Sequence, residues 1–173
     1  MAIDAITKAR LIEGLRSGGE ELLQGLRSLP AVEFEKGCYE NGWNARQVLA
    51  HIAGIEWTYP RLLDVARNAG EPPKREEKPK EPATKTAQGG INSYNDRTVE
   101  RYADTSVAEL LDVFEQNRKT TIAAVETADE DLLQVPVRSA GGIPGPVATV
   151  LNYVAVIHVR GHLNDILQSA GQA

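Results

Sequence analysis

The segment PVATVLNYVAVIHVRGHLNDILQS, residues 146–169, reads as one long helix, and its register decides the fold. Pro146 suits a first helical position, where a backbone N–H would have no intrahelical partner anyway. Gly171 stands just past the end. His158 and His162 are four residues apart, so they share a helix face with Cβ atoms ~6 Å apart. Stepping back from His158 by threes and fours gives Val154, Leu151 and Val147. Stepping forward from His162 gives Ile166. Both imidazoles are therefore predicted to lie on the apolar stripe that faces a core.

Three further helices follow from the same periodicity. The first is predicted over 4–27, with Ile6, Ile12, Leu15, Leu22 and Leu26 at helical spacing and Pro30 closing it. The second starts at NARQ, where Asn44 and Gln47 have capping-box spacing, and runs to about Asn68. It carries Val48, His51, Ile52, Ile55, Tyr59 and Leu62 on one side, and Pro60 should kink or split it near Thr58. The third starts at the capping box Ser106–Glu109 and reaches about Thr127. INSYNDRTVERYA, residues 91–103, is compatible with a short helix. No convincing strand pattern competes. The expectation is an all-α chain: a single four-helix-bundle domain over 1–173, with a crossover of about 35 residues between its second and third long helices. Residues 70–90, rich in proline and charge, read as a solvated loop.

Composition narrows the partners. The 173 residues carry a net charge of −5 with both signs interspersed, which argues against a nucleic-acid partner that grips the phosphate backbone. No apolar run reaches membrane-spanning length, so no membrane partner is expected. The first residues have no apolar signal core, and Cys38 is the only cysteine, so a cytoplasmic protein without an internal disulfide is expected.

The chain has only three histidines, and the third, His51, falls between Val48 and Ile55 on the inward side of the second helix. An imidazole in an apolar interior needs partners for its ring nitrogens or bears a desolvation cost of a few kcal/mol. One such histidine is most simply a satisfied core residue. Three, two of them at i,i+4, favour one divalent cation that accepts a nitrogen from each at ~2.0–2.1 Å. The pattern is not the zincin motif, because Val159 stands where that motif needs glutamate. Three neutral ligands leave a coordination position open and the ion's charge uncompensated, a setting for an anionic guest.

GWNARQVLAHIAGIEW on the second helix, a long crossover and HVRGHLNDIL on the last helix resemble the DinB/YfiT-like superfamily of metalloenzymes. That superfamily is related to mycothiol- and bacillithiol-dependent transferases and maleylpyruvate isomerases. Its pattern is a tryptophan before helix two, a histidine on it and H-x-x-x-H on helix four, which Trp43, His51, His158 and His162 fit. GGINSYNDRTVERY resembles the segment before helix three where an asparagine is usual, matched by Asn92 or Asn95. The resemblance implies a bundle with an unusual crossover, zinc, nickel or a similar ion on the three histidines, and a homodimer. It also implies a low-molecular-weight thiol as co-substrate, placed on the metal as thiolate to attack or isomerise a small electrophilic substrate.

Other residues have positions that bear on the ion. Asp165 is placed to accept a ring N–H from a neighbouring ligand. Tyr59 lies near the His51 face, as a pocket group or as core packing. Glu56 lies about 140° off that face, and Arg160 about 200° around from His158, where a surface role is the simpler reading. Three functions stay open on the residues alone: a thiol-dependent transferase or isomerase, or its hydrolase variant; a non-catalytic metal-binding or stress-response protein with the ion as a structural staple; and a metal-free bundle.

Overall fold

The computed structural model describes residues 5–38, 42–68 and 93–171. Helix α1 spans Lys8–Arg27. It starts later than its apolar period suggests because the Thr7 side chain accepts from the Arg10 N–H at 3.2 Å and caps it. A 3₁₀ turn at Ala31–Glu35 follows. A bridge between Gly37 and Asn44 then aims the chain into α2, Ala45–Glu56. Both halves of the α2 capping box form: Gln47 N–H donates to Asn44 Oδ1 at 2.8 Å, and Asn44 N–H donates to Gln47 Oε1 at 2.9 Å. The predicted break occurs at Thr58–Pro60, beyond which α3 spans Arg61–Arg67.

Helix α4, Ser93–Arg101, confirms the short helix read there, and α5, Val107–Thr127, begins at the Ser106–Glu109 box as expected. The short α6, Glu130–Leu133, leads to a feature the sequence reading did not contain: an antiparallel hairpin of β1, Pro136–Arg138, and β2, Pro144–Pro146. Its strands are too short to show a period of two, and three prolines in them speak against strands. Gly142, at φ +89°, makes its turn.

The last helix is continuous but not uniform. Helix α7, Val147–Leu151, passes through one π turn at Asn152–Ile157 into α8, His158–Ser169. There the His158 N–H donates to the carbonyl five residues back, Tyr153, rather than four. The uniform register assumed from the sequence is thus corrected by one residue just before the histidine pair. Val147, Leu151 and Ile166 are buried as expected, whereas Val154 is half-buried.

Helices α1 and α2 each pack on α5 and on the last helix, so these sequence neighbours occupy opposite corners of the four-helix arrangement. The apolar core is in two parts. One gathers Leu22, Leu49, Ile52, Phe114, Val159 and Leu163. The other gathers Leu11, Leu15, Tyr59, Leu63, Val125 and Leu151. On α2 and α5 the boundary is marked by buried polar residues, Glu56, Arg118 and Thr121. On α1 it falls at Gly18 and Gly19, both buried. Helix α4 lies against α2 at Gly54, where a Cβ would meet Thr98 Cγ2 at 2.4 Å. The predicted loop at 70–90 lies outside the described residues.

Candidate metal centre

The three histidines meet although they come from two helices at a separation of more than a hundred residues. One ring nitrogen from each of His51, His158 and His162 lies within 4.8 Å of the others. His158 and His162 bring their Nε2 atoms to 2.9 Å. The His51 ring centroid is 5.6 Å from that of His158 and 5.2 Å from that of His162, both edge-on. Among the described residues no thiol or carboxylate joins the group.

A tetrahedral ion at ~2.0–2.1 Å from each nitrogen needs the nitrogens about 3.3 Å apart. Separations from 2.9 Å to at most 4.8 Å bracket that distance. His51 is buried, and its Nδ1 has no hydrogen-bond partner. The donor set therefore fits a divalent cation, and the protein interior leaves at least one imidazole nitrogen unsatisfied without it.

Burial sets the charge of the rings. Desolvation, then the neighbouring histidines, pushes His51 down to about 3. Desolvation and His158 push His162 down to about 4, against a small upward pull from the Asp165 carboxylate. His158 is also lowered by burial, although its hydrogen bond to the Val154 carbonyl favours the charged form. At neutral pH all three rings are uncharged and offer lone pairs. The bond to Val154 leaves His158 Nε2 aimed at His162, the arrangement in which a backbone carbonyl fixes a ligand's tautomer.

The surrounding residues divide clearly. The Trp43 ring packs on His51 with centroids 5.2 Å apart, covering the buried ligand. The half-buried Asp165 reaches both His162 and Cys38 electrostatically. The Cys38 Sγ lies 3.4 Å from Ser169 Oγ, and burial raises its pKa, so the thiol stays protonated. Asn95 is half-buried on the first turn of α4, the helix that packs on the His51 helix. Asn92 lies outside the described residues. Arg160 turns to α1, where Nη2 donates to Ser17 Oγ and Nη2 and Nε contact Glu21, so the surface reading holds.

Tyr59 lies in the core packing that its sequence position also allowed. Its ring is in the second core cluster, and its hydroxyl donates to the Val154 carbonyl at 3.0 Å. Tyr59 is buried there, 5% exposed. It bears instead on the carbonyl that also accepts from His158.

Arg118 was missed. It is 4% exposed, and Glu56 beside it is 0% exposed. The aligned hydrogen bond runs from Arg118 Nη2 to Glu56 Oε2 at 3.2 Å; Nε lies 2.6 Å from Oε1 as an ion-pair contact without hydrogen-bond geometry. The same guanidinium donates through Nη1 to the Leu15 carbonyl at 3.0 Å and through Nη2 to the Ala155 carbonyl at 2.6 Å. One side chain of α5 thereby touches the other three corners of the bundle. A signal existed in the sequence: Phe114, Arg118, Thr121 and Val125 fall on one helical stripe, which places a guanidinium in the interior.

A family model of the DinB superfamily matches residues 15–166, and the chain belongs to that superfamily. Among solved structures, YfiT from Bacillus subtilis, described as a probable metal-dependent hydrolase with an unusual four-helix bundle topology, superposes with a TM-score of 0.70 at 13% identity. That match covers 99% of this chain and 92% of the other. A mycothiol-dependent maleylpyruvate isomerase superposes with a TM-score of 0.69 at 18% identity over 92% of this chain. The chain spans 60% of that isomerase's length. At these identities the likeness establishes the fold. No curated protein sequence matches the chain. No helix among the described residues is long and apolar enough to cross a membrane.

Proposed function

We propose that this protein is a divalent-metal-dependent enzyme of the DinB type, with His51, His158 and His162 as ligands to zinc or nickel and a low-molecular-weight thiol as co-substrate in a transfer or isomerisation. The observation that carries the reading is the convergence of three uncharged imidazoles with an orphaned Nδ1 on His51. A divalent ion held there supplies a Lewis-acid centre that stabilises an anionic sulfur or oxygen nucleophile. The protein's own part is preorganisation: the Val154 carbonyl orients His158, Trp43 keeps water from His51, and the Asp165 carboxylate bears on His162. The solved isomerase of the same fold works with mycothiol, as its name states, which supports the choice of thiol. The homodimer expected of the family and a small electrophilic substrate are part of the same proposal.

Hydrolysis is the second reading, and one observation favours it. The Asp165 carboxylate, three residues after His162 on the same helix, acts electrostatically on that ring and is the candidate to orient a water.

Elemental analysis of tag-free protein tests the metal. Near-stoichiometric zinc or nickel is expected in the wild type and none in the His158→Ala/His162→Ala variant; neither holding metal after add-back would overturn the proposal. Consumption of mycothiol with a model electrophile by loaded protein separates thiol chemistry from hydrolysis of activated esters without thiol.

A further inference from the structure

Arg118 and Glu56 form a buried charged pair that the proposed site chemistry does not use directly. Replacing such a pair with apolar residues is often neutral or stabilising, so stability alone is a weak reason for its presence. Where the pair's hydrogen bonds end is more informative. The π turn Asn152–Ile157 immediately precedes His158, and its Val154 and Ala155 carbonyls each accept from a side chain of another part of the bundle. Arg118 Nη2 donates to Ala155, and the Tyr59 hydroxyl donates to Val154, the carbonyl that also accepts from the His158 ring.

Such single π turns interrupt the regular α ladder and are held by local context, since their own geometry is poorer than that of the α-helix. Nothing in the sequence of the turn forces it: Asn152–Ile157 contains neither proline nor glycine. Room for the stem of Arg118 is built in from α1, where a Cβ on Gly19 would come 3.2 Å from Arg118 Cγ. A mid-helix glycine costs about 1 kcal/mol of helix propensity, a cost that this close approach explains at Gly19.

We infer that the Glu56–Arg118 pair, with Tyr59, acts as a positioning device: it fixes the π turn and thereby the direction in which His158, and one turn later His162, present Nε2 to the ion. The inference rests on the metal reading proposed above. Glu56 aligns the guanidinium, Arg118 holds Ala155, and Tyr59 holds Val154. None of the three is a ligand.

The test compares wild type with a Glu56→Leu/Arg118→Met double variant, which removes both charges together and leaves neither buried alone. Thermal unfolding of the metal-free proteins, Co(II) titration and amide hydrogen exchange are read in parallel. The double variant should unfold within a few degrees of wild type. It should bind Co(II) ten- to a hundred-fold more weakly, the usual scale for partners that orient metal ligands. Its cobalt visible band should shift, and the His158 and Val159 amides should exchange at least ten-fold faster. A folded variant with wild-type Co(II) affinity, band and exchange overturns the inference while the metal reading stands. If wild type itself takes up no Co(II), the metal reading fails, and unchanged exchange would remove the structural half as well. Should the double variant not fold, Tyr59→Phe, which deletes a single hydroxyl, is held to the same readouts.

Discussion

The Nε2 atoms of His158 and His162 lie 2.9 Å apart. Two neutral imidazoles share one proton at that distance, but two imidazolium rings cannot coexist there without strong repulsion. His51, itself buried, stands edge-on to both. The site therefore resists protonation well below the ordinary histidine range, and the folded chain and the unfolded chain differ in how many protons they bind.

The first prediction follows from that difference. In the unfolded chain each histidine titrates near 6.5, whereas in the fold His51 and His162 titrate near 3 and 4. Their folded pKa values are depressed, and the protonated ring is the charged one. The unfolded state thus gains protons first as pH falls below 6.5, and stability of the metal-free protein is lost from there down toward pH 4. Above pH 7 these groups contribute no slope. Each contributes up to about 1.4 kcal/mol per pH unit inside the window. Urea unfolding of the metal-free protein at pH 7.5, 6.0 and 5.0 measures it, with His51→Leu expected to flatten the dependence. Equal stability at all three pH values would contradict the depressed pKa values.

A second prediction concerns the role of the ion itself. His51→Ala removes one of three ligands from a position where its Nδ1 is already without a partner. Deleting a buried, unsatisfied polar group offsets much of the cavity cost, so the metal-free variant should keep its fold within about 1 kcal/mol of wild type. Metal content should fall to background. Loss of metal with the fold retained identifies a functional site, whereas melting of the bundle on metal removal from wild type, together with an unfolded His51→Ala variant, identifies a structural staple.

Much of this arrangement is legible in the sequence because it is local. The Asn44–Gln47 and Ser106–Glu109 boxes fix two helix starts within four residues each. The i,i+4 spacing of His158 and His162 needs only a helix. The placement of His51 was legible through its apolar neighbours, although its meeting with the other two depends on how α2 and α8 pack. The π turn was not legible, because the donors that fix its carbonyls, Arg118 and the Tyr59 hydroxyl, come from elsewhere in the chain. The hairpin at Pro136–Arg138 and Pro144–Pro146 was hidden by its brevity and its prolines.

The wall beside His51 yields a third prediction. Gly54 lies one turn after His51, and a Cβ there would come 2.4 Å from Thr98 Cγ2 and 2.8 Å from Tyr102 Cε2. Gly54→Ala gains about 1 kcal/mol of helix propensity. The clash should outweigh it, for a net loss of 1–3 kcal/mol typical of overpacking, or roughly 2–4 °C in Tm per kcal/mol. Thr98→Ser deletes the closest atom and should recover part of the loss in the double variant, a coupling that unfolding of all four proteins measures. A Gly54→Ala protein more stable than wild type would mean that α4 does not approach α2 as described.

Trp43 supplies the last prediction, because it makes the site visible without a substrate. Of the two tryptophans, Trp43 packs on the His51 ring at 5.2 Å, while Trp57 is exposed with the Arg61 guanidinium 4.2 Å over its ring. A Co(II) or Ni(II) ion on the three histidines would be bound to the ring on which Trp43 packs and should quench most of its emission. In Trp57→Phe, where Trp43 emits alone, stoichiometric quenching should follow the ion titration and reverse with chelator. In Trp43→Phe the remaining exposed indole should respond little to the same additions. Equal quenching in the two variants would place the bound ion away from His51, and strong quenching confined to Trp43→Phe would locate it nearer the Arg61 end of the bundle.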